Sequence, residues 1–194
     1  MSDIYTIRVA IRDISPLIWR SFTIDGETSF AELHDILQII MGWDNSHLFQ
    51  FRFGKIRIAV ESEDDPLPFE ASDAFVLTLN KLDTKVGDTF KYIYDFGDDW
   101  LHELVVLSKE EGSINYPVCI AGERNCPPEN IGGIPGYLSL LEALKKPRSK
   151  AYKEYLSWIG HDFDPEEFDL VDINSLLEDY TDDVRHDMFL DDEN

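Results

Sequence analysis

Ser29-Phe30-Ala31-Glu32 opens the stretch that most constrains how this chain can fold. A serine three residues before a glutamate has the spacing of a capping box, in which Ser29 caps the first free amides and Glu32 reaches back to the cap. Behind it, Phe30, Leu33, Ile36, Leu37, Ile40 and Met41 recur at helical spacing until Gly42 supplies a stop. The pattern predicts a helix over 29–41 with one broad apolar stripe. Such a stripe needs a cover.

The flanking sequence offers a cover of a different period. Tyr5, Ile7, Val9 and Ile11 alternate with Thr6 and Arg8, which reads as a half-buried strand. Ser15-Pro16 interrupts it, a second strand runs over 18–24, and Asp25-Gly26 turns the chain. After the helix, Phe49, Phe51 and Phe53 oppose Gln50 and Arg52. Gly54-Lys55 then makes a two-residue turn, and Ile56, Ile58 and Val60 return the strand. Residues 61–66 read as a charged loop, and 75–79 as a short strand or a helical turn. Gly87-Asp88 opens another hairpin, with Phe90, Tyr92 and Tyr94 on one face and a return strand over 102–107.

Beyond this point the pattern changes. Residues 116–135 show no periodicity and hold Pro117, Pro127, Pro128 and Pro135, so they read as one long loop of a length that is often functional. Helices follow at 137–145 and 150–159, a short one starts at Pro165, and a last one covers 173–180. The order predicts an α+β fold: a single domain over 1–180, a mostly antiparallel sheet with helices packed on one side, and an acidic, flexible C-terminal tail over 181–194.

Charge narrows the partners. The chain carries 17 basic and 39 acidic residues, a net charge of −22. Residues 160–194 alone hold 14 acidic residues against one arginine. Nucleic-acid affinity rests largely on neutralising phosphates, so this balance argues against nucleic acid as a partner. The one basic run, Lys145, Lys146, Arg148, Lys150 and Lys153, reads as the solvated join of two helices. Met1-Ser2-Asp3-Ile4 has neither the basic flank nor the apolar run of a signal peptide, and no apolar stretch approaches the roughly 20 residues of a membrane helix. The expectation is a cytoplasmic protein without membrane contact, with Cys119 and Cys126 as reduced thiols.

The densest polar cluster is Tyr94-Asp95-Phe96-Gly97-Asp98-Asp99-Trp100-Leu101-His102, between two strands. Its Asp-Phe-Gly is not a kinase signature here, because the chain lacks a glycine-rich phosphate loop and a His-Arg-Asp loop. One reading is a turn, with Gly97 supplying the positive φ. The other is a site in which Asp95, Asp98 and Asp99 offer carboxylates and His102 an imidazole, a set that suits a divalent metal such as zinc. His47, just after the capped helix, joins them if the fold brings it near. Cys119 and Cys126 lack the spacing of a zinc knuckle, yet with His47 and His102 they would complete a tetrahedral zinc set. Pro127-Pro128-Glu129-Asn130-Ile131-Gly132-Gly133 is rigid at one end and permissive at the other, a loop that could present Glu129 to a pocket.

Together these motifs resemble the plasmid pRiA4b ORF-3-like family. The resemblance rests on Tyr94–His102, Cys119, the Pro127–Gly133 loop, Gly136-Tyr137, Ile18-Trp19-Arg20, Trp158 and Phe163-Asp164-Pro165-Glu166, with Phe168 beyond. It spans about residues 4–177. It implies a single α+β domain in a set of prokaryotic proteins, some labelled transposon resolvases. The chain departs from the pattern at Asn130, where an aspartate is expected.

Three functions follow as expectations. The first is a binding or interaction module for a protein or small-molecule ligand, with a polar surface built from the Asp95–His102 turn and the Cys119–Gly133 loop. The second is a metal-dependent hydrolase in which Asp98, Asp99, His102 and His47 ligate the metal and Glu129 or Asp95 acts as general base. The third is a mobile-element DNA protein, which the family label suggests and the charge opposes.

Overall fold

The computed structural model describes residues 2–60 and 71–191, and side chains through residue 182. The capped helix is α1, Phe30–Met41. Ser29 Oγ accepts the Glu32 amide and Glu32 accepts the Ser29 amide, while Gly42 closes the helix in the left-handed conformation at φ 76°. Two strands precede it, β1 (Ser2–Ile11) and β2 (Trp19–Asp25). After it come β3 (Phe49–Phe53), β4 (Ile56–Ala59) and β5 (Ala71–Asp73), then β6 (Thr89–Tyr94), β7 (Trp100–Gly112) and β8 (Val118–Glu123). Three helices end the described chain: α2 (Gly133–Leu144), α3 (Lys150–Ile159) and α4 (Leu170–Asp191).

The strands form one eight-stranded sheet in the order β5-β4-β3-β6-β7-β1-β2-β8. Every pairing is antiparallel except β4 with β5. Cross-strand partners share a face, so the register identifies the inner one. Ile58, Phe51, Tyr92, His102 and Ile11 run across five strands in register, and all are fully buried. Ile7, Phe22 and Cys119 continue that face to the far edge. The alternate positions carry Arg8, Arg52, Lys91 and Glu103, which point the other way toward water.

α1 lies on the inner face. Phe30 meets Phe51 and Phe90 edge-on, with centroids 5.0 and 6.0 Å apart, and Leu33, Ile36, Leu37 and Ile40 are buried beside it. Each such side chain is worth about 1.5–3 kcal/mol on burial. That is the force holding the helix to the sheet. α4 packs beside α1 and β8, with Leu177 buried and the Tyr180 hydroxyl donating to Asp35 at 3.2 Å.

β8 is an edge strand, and α4 finishes it. Asn174 accepts the Cys119 amide at 2.8 Å and donates to the Cys119 carbonyl at 2.9 Å. One side-chain amide thus takes the place of a neighbouring strand's peptide group.

The sequence-based expectation fails in five places. Residues 116–135 are not one loop, because β8 occupies 118–123. The register shifts between Ser21 and Phe22, which leaves Ile120 unpaired and 48% exposed. That bulge hides the alternation that marks a strand. At 75–79 the strand reading fails and the helical-turn reading holds: the Asp73 carbonyl accepts the Leu77 amide at 3.2 Å, its side chain accepts the Phe75 amide at 2.9 Å, and Phe75 and Val76 face solvent. No helix starts at Pro165, since the Asp164 side chain accepts the Glu166 amide and the Pro165 carbonyl accepts the Asn125 amide. α2 begins four residues before Tyr137, and α4 begins at Leu170 and continues past Tyr180 to Asp191. Finally, Gly97 does not supply a positive φ. Asp95 and Asp99 do, each at 54°. The charged 61–66 loop lies outside the described residues.

Candidate functional site

The five-residue connection between β6 and β7 is organised by its first aspartate. Asp95 is buried, and its Oδ1 accepts the Gly97 amide at 2.8 Å and the Asp98 amide at 3.2 Å. Its backbone carbonyl accepts the Asp99 amide at 2.7 Å. Aspartate tolerates the left-handed region when its side chain bonds nearby backbone in this way. The turn is therefore rigid, and its three acids have separate roles.

Asp98 works at the start of α2. Its Oδ2 accepts the Gly132 amide at 3.0 Å, at a helix end whose cap residue has no side chain to offer. A carboxylate there also meets the favourable end of the helix dipole. Gly133 sits hard against the same turn: a Cβ at that position would lie 2.6 Å from the Asp98 carbonyl oxygen. The paired glycines let the loop close on the turn, as the sequence pattern suggests. Asp99 is exposed.

The second oxygen of Asp95 faces His47. Asp95 Oδ2 is 3.5 Å from His47 Nε2, and Glu129 Oε2 is 3.8 Å from the same nitrogen. Asn130 Oδ1 hydrogen-bonds it at 3.0 Å, and the imidazole stands edge-on to the Tyr94 ring. Three separated stretches thus meet at one imidazole. Glu129 is held from the other side, where its Oε1 accepts the Tyr94 hydroxyl at 2.9 Å and the Asp44 amide at 3.2 Å. Its Oε2 is buried without a hydrogen-bond partner. Burial pushes the Glu129 carboxyl above its usual range, and hydrogen bonds from Tyr94 and the Asp44 amide work against that rise. Burial likewise pushes the Tyr94 hydroxyl up, and the Glu129 carboxylate beside it adds to the effect. Trp43 braces the arrangement by stacking on Tyr94 and donating to the Pro127 carbonyl at 2.9 Å.

His102 belongs elsewhere. It lies on β7 in register with Tyr92 and is fully buried on the inner face of the sheet. Its ring packs against Trp43 and Tyr92, each with centroids 5.2 Å away. Burial pulls its pKa down to about 4, and the Tyr92 and Trp100 backbones beside the ring work against that fall. It is a neutral core residue. The alternation Trp100, His102, Leu104, Val106 places it there.

The cysteines are also apart from the His47 cluster. Cys119 is buried on β8 beside α4. Cys126 is buried next to Arg20, 3.4 Å from Nη2, and next to the Met41 sulfur at 3.7 Å. Burial raises both thiols, Cys126 to about 11, although the Arg20 charge opposes the rise. Both are free thiols. The zinc set of His47, His102, Cys119 and Cys126 is not assembled. Among the described residues, no group of three or more His, Cys, Asp or Glu side chains is arranged to hold a metal ion.

Sequence reasoning passed over a second polar network directly beneath the site. His34 on α1 hydrogen-bonds the Tyr92 hydroxyl at 2.7 Å and Asn45 at 2.6 Å. Gln38 donates to the same hydroxyl at 2.9 Å and accepts the Asn45 amide at 3.0 Å. Burial pulls His34 down to about 4, with the Asn45 bond opposing. This network fixes the 43–47 turn that carries His47. The signal was present, since His34 lies four residues past Phe30 on the buried stripe.

Beside the cluster lies an open cavity of about 450 Å³, lined by Asn130, Ile131, Ala151, Glu154, Tyr155 and Trp158. Asn130 is common to the cavity and to the His47 contacts. Trp158, on α3, is 51% exposed.

A sheet of this order, closed at one end by an acidic turn bound to a glycine-rich loop, defines a particular class of α+β protein. The chain belongs to the plasmid pRiA4b ORF-3-like family, whose model matches residues 3–172. It is similar to the uncharacterised protein y4hQ of Sinorhizobium fredii, at 29% identity over 182 residues, 92% of this chain and 93% of that one. In structure it is similar to the protein of unknown function MM3350 from Methanosarcina mazei Go1, with a TM-score of 0.76 and 30% identity over 89% of this chain and 97% of that one. Among the described residues, no helix is long and apolar enough to cross a membrane.

Proposed function

We propose that the protein is a cytoplasmic binding module whose ligand seats against His47, Asp95, Glu129 and Asn130 and extends into the neighbouring cavity. The observation that carries this reading is the convergence itself. Three segments, 43–47, 95–99 and 127–132, meet on His47, and the carboxylate Oε2 of Glu129 is buried beside that imidazole without a hydrogen bond. Buried polar atoms are ordinarily hydrogen-bonded, and Asn130, the next residue, lines the neighbouring cavity, so the exception lies close to a place where a ligand can sit.

Nucleic acid is not the partner in this reading. The net charge is −22, and the one basic run is partly neutralised by the Lys145–Glu142 and Lys150–Glu154 pairs.

The test is a ligand screen by thermal shift, followed by His47→Ala and Asn130→Ala. The expected result is a stabilising ligand whose effect both substitutions weaken at least several-fold. A tight ligand indifferent to both would overturn the location, and a gel shift with duplex DNA at moderate salt would overturn the partner class.

A further inference from the structure

The cavity beside Asn130 has a chemistry specific enough to name what it takes. Resting on the binding-module reading above, we infer that its occupant is a small organic cation: an ammonium or guanidinium group carried on a short apolar body.

Volume sets the scale. About 450 Å³ falls within the range of small-molecule sites, which run from about 300 to 1,000 Å³. The walls set the body. Ile131, Ala151, Tyr155 and Trp158 form an apolar and aromatic lining, and Trp158 leaves half of its indole in water. An exposed indole face is the best aromatic partner for a cation.

Charge sets the sign. Among the described residues, no lysine, arginine or histidine lines the cavity, whereas Glu154 does. The Lys150 that pairs with Glu154 at 3.2 Å is itself 91% exposed, and with Lys153 it lines a separate depression on α3 that shares Glu154 and Trp158. Asn130 also lines the cavity, and the His47 nitrogen that it hydrogen-bonds has the Asp95 and Glu129 carboxylates within 3.5 and 3.8 Å. Two carboxylates outweigh one imidazole whether or not that imidazole is protonated. A carboxylate or phosphate ligand would enter against this field and against the net charge of −22, while a cation would enter with it.

Three probes of like shape separate the possibilities: phenethylamine, 2-phenylethanol and phenylacetate, which carry positive, neutral and negative ends on one ring. Each is titrated into the full chain while the Trp158 indole N–H is followed by NMR, with Trp158→Phe used to assign the peak. The expected order is amine tighter than alcohol by roughly tenfold, with phenylacetate weakest. Glu154→Gln, on an exposed residue whose loss spares the fold, should reduce amine affinity several-fold and leave the alcohol unchanged. Asn130→Asp should strengthen the amine. Equal affinities, or alcohol or phenylacetate first, overturn the cation assignment while leaving the binding-module reading intact if the shifts still map to Asn130 and Trp158. A basic hexapeptide that moves the Trp158 peak where phenethylamine does not would overturn the small-molecule occupant. No response at Trp158 to any probe, together with a screening hit that maps to another face, overturns both readings.

Discussion

The Tyr94 hydroxyl donates to Glu129 Oε1 at 2.9 Å and accepts the Ser46 amide at 3.1 Å. One phenol thereby links the end of β6 to the turn that carries His47 and to the loop that carries Glu129. The three segments are far apart in sequence, so the geometry around His47 depends on this crossing point more than on any local motif.

Removing it should show in stability. Tyr94→Phe keeps the ring that stacks on Trp43 at 5.0 Å but leaves Ser46 and Glu129 each one partner short. The expected cost is about 1–3 kcal/mol in urea unfolding, since partly buried groups lose bonds that water replaces poorly. A loss no greater than that of an exposed control substitution would show that the crossing point is not holding the site.

The two buried histidines should make the fold sensitive to acid. His34 and His102 both have pKa values near 4 in the folded chain against 6.5 when unfolded. The folded values are lowered, so the unfolded chain binds more protons between pH 6.5 and about 4. Stability is full above 6.5 and falls as pH drops through that window, by about 1.4 kcal/mol per pH unit for each histidine. His102→Phe should remove one proton from this slope. At neutral pH it should cost little, because a phenyl ring can take the neutral imidazole's place between Trp43 and Tyr92. Urea midpoints measured from pH 7 to 4.5 check both points; a slope unchanged by the substitution would refute the assignment of His102 as a neutral core residue.

Neither thiol should behave as a reactive or metal-binding group. Cys119 and Cys126 are buried, with burial raising both. Reaction with a disulfide reagent at pH 8 should be slow in the native protein and rapid in urea, because the thiolate is the reactive form and access requires opening. Dialysis against a chelator should leave the thermal midpoint in place. Fast native labelling, or a chelator-induced fall in midpoint, would contradict the arrangement described.

The cap of α1 offers a calibration. Ser29→Ala removes the acceptor for the Glu32 amide while leaving the apolar stripe intact. The expected loss is about 1 kcal/mol, read from thermal or urea unfolding. A substitution without effect would mean that packing on the sheet, rather than the cap, sets the helix start.

What could be read from the sequence follows the range of the interactions. α1, the Gly54-Lys55 hairpin and the hairpin around Asp95 are specified by neighbours within a few residues and all are found, although the return strand after Asp95 runs over Trp100–Gly112 rather than 102–107. The family motifs are equally local, and the paired glycines mark a tight approach, although what they approach, the Asp98 turn 34 residues upstream, is not written beside them. β8 is different. Its identity comes from pairing with β2 about a hundred residues upstream, and the bulge at Ile120 removes the alternation that would have revealed it. The site divides in the same way. His47, Asp95 and Glu129 do meet. His102 was grouped with the acids because it is near them in the chain, although its parity with Leu104 and Val106 already assigned it to the inner face. Asn130 and the Asn45–His34 network depend on contacts between segments, which a one-dimensional pattern does not carry.

The Asn174 clamp on Cys119 bears on how molecules of this kind stay separate. An open sheet can grow by recruiting a strand from another molecule, and the end at β8 would be a natural point of growth. With both the amide and the carbonyl of Cys119 already occupied by one side chain, a recruited strand would have to displace Asn174 to pair at that position. The C-terminal helix therefore stands in the way of strand addition at Cys119, and a net charge of −22 adds repulsion between any two copies of the chain.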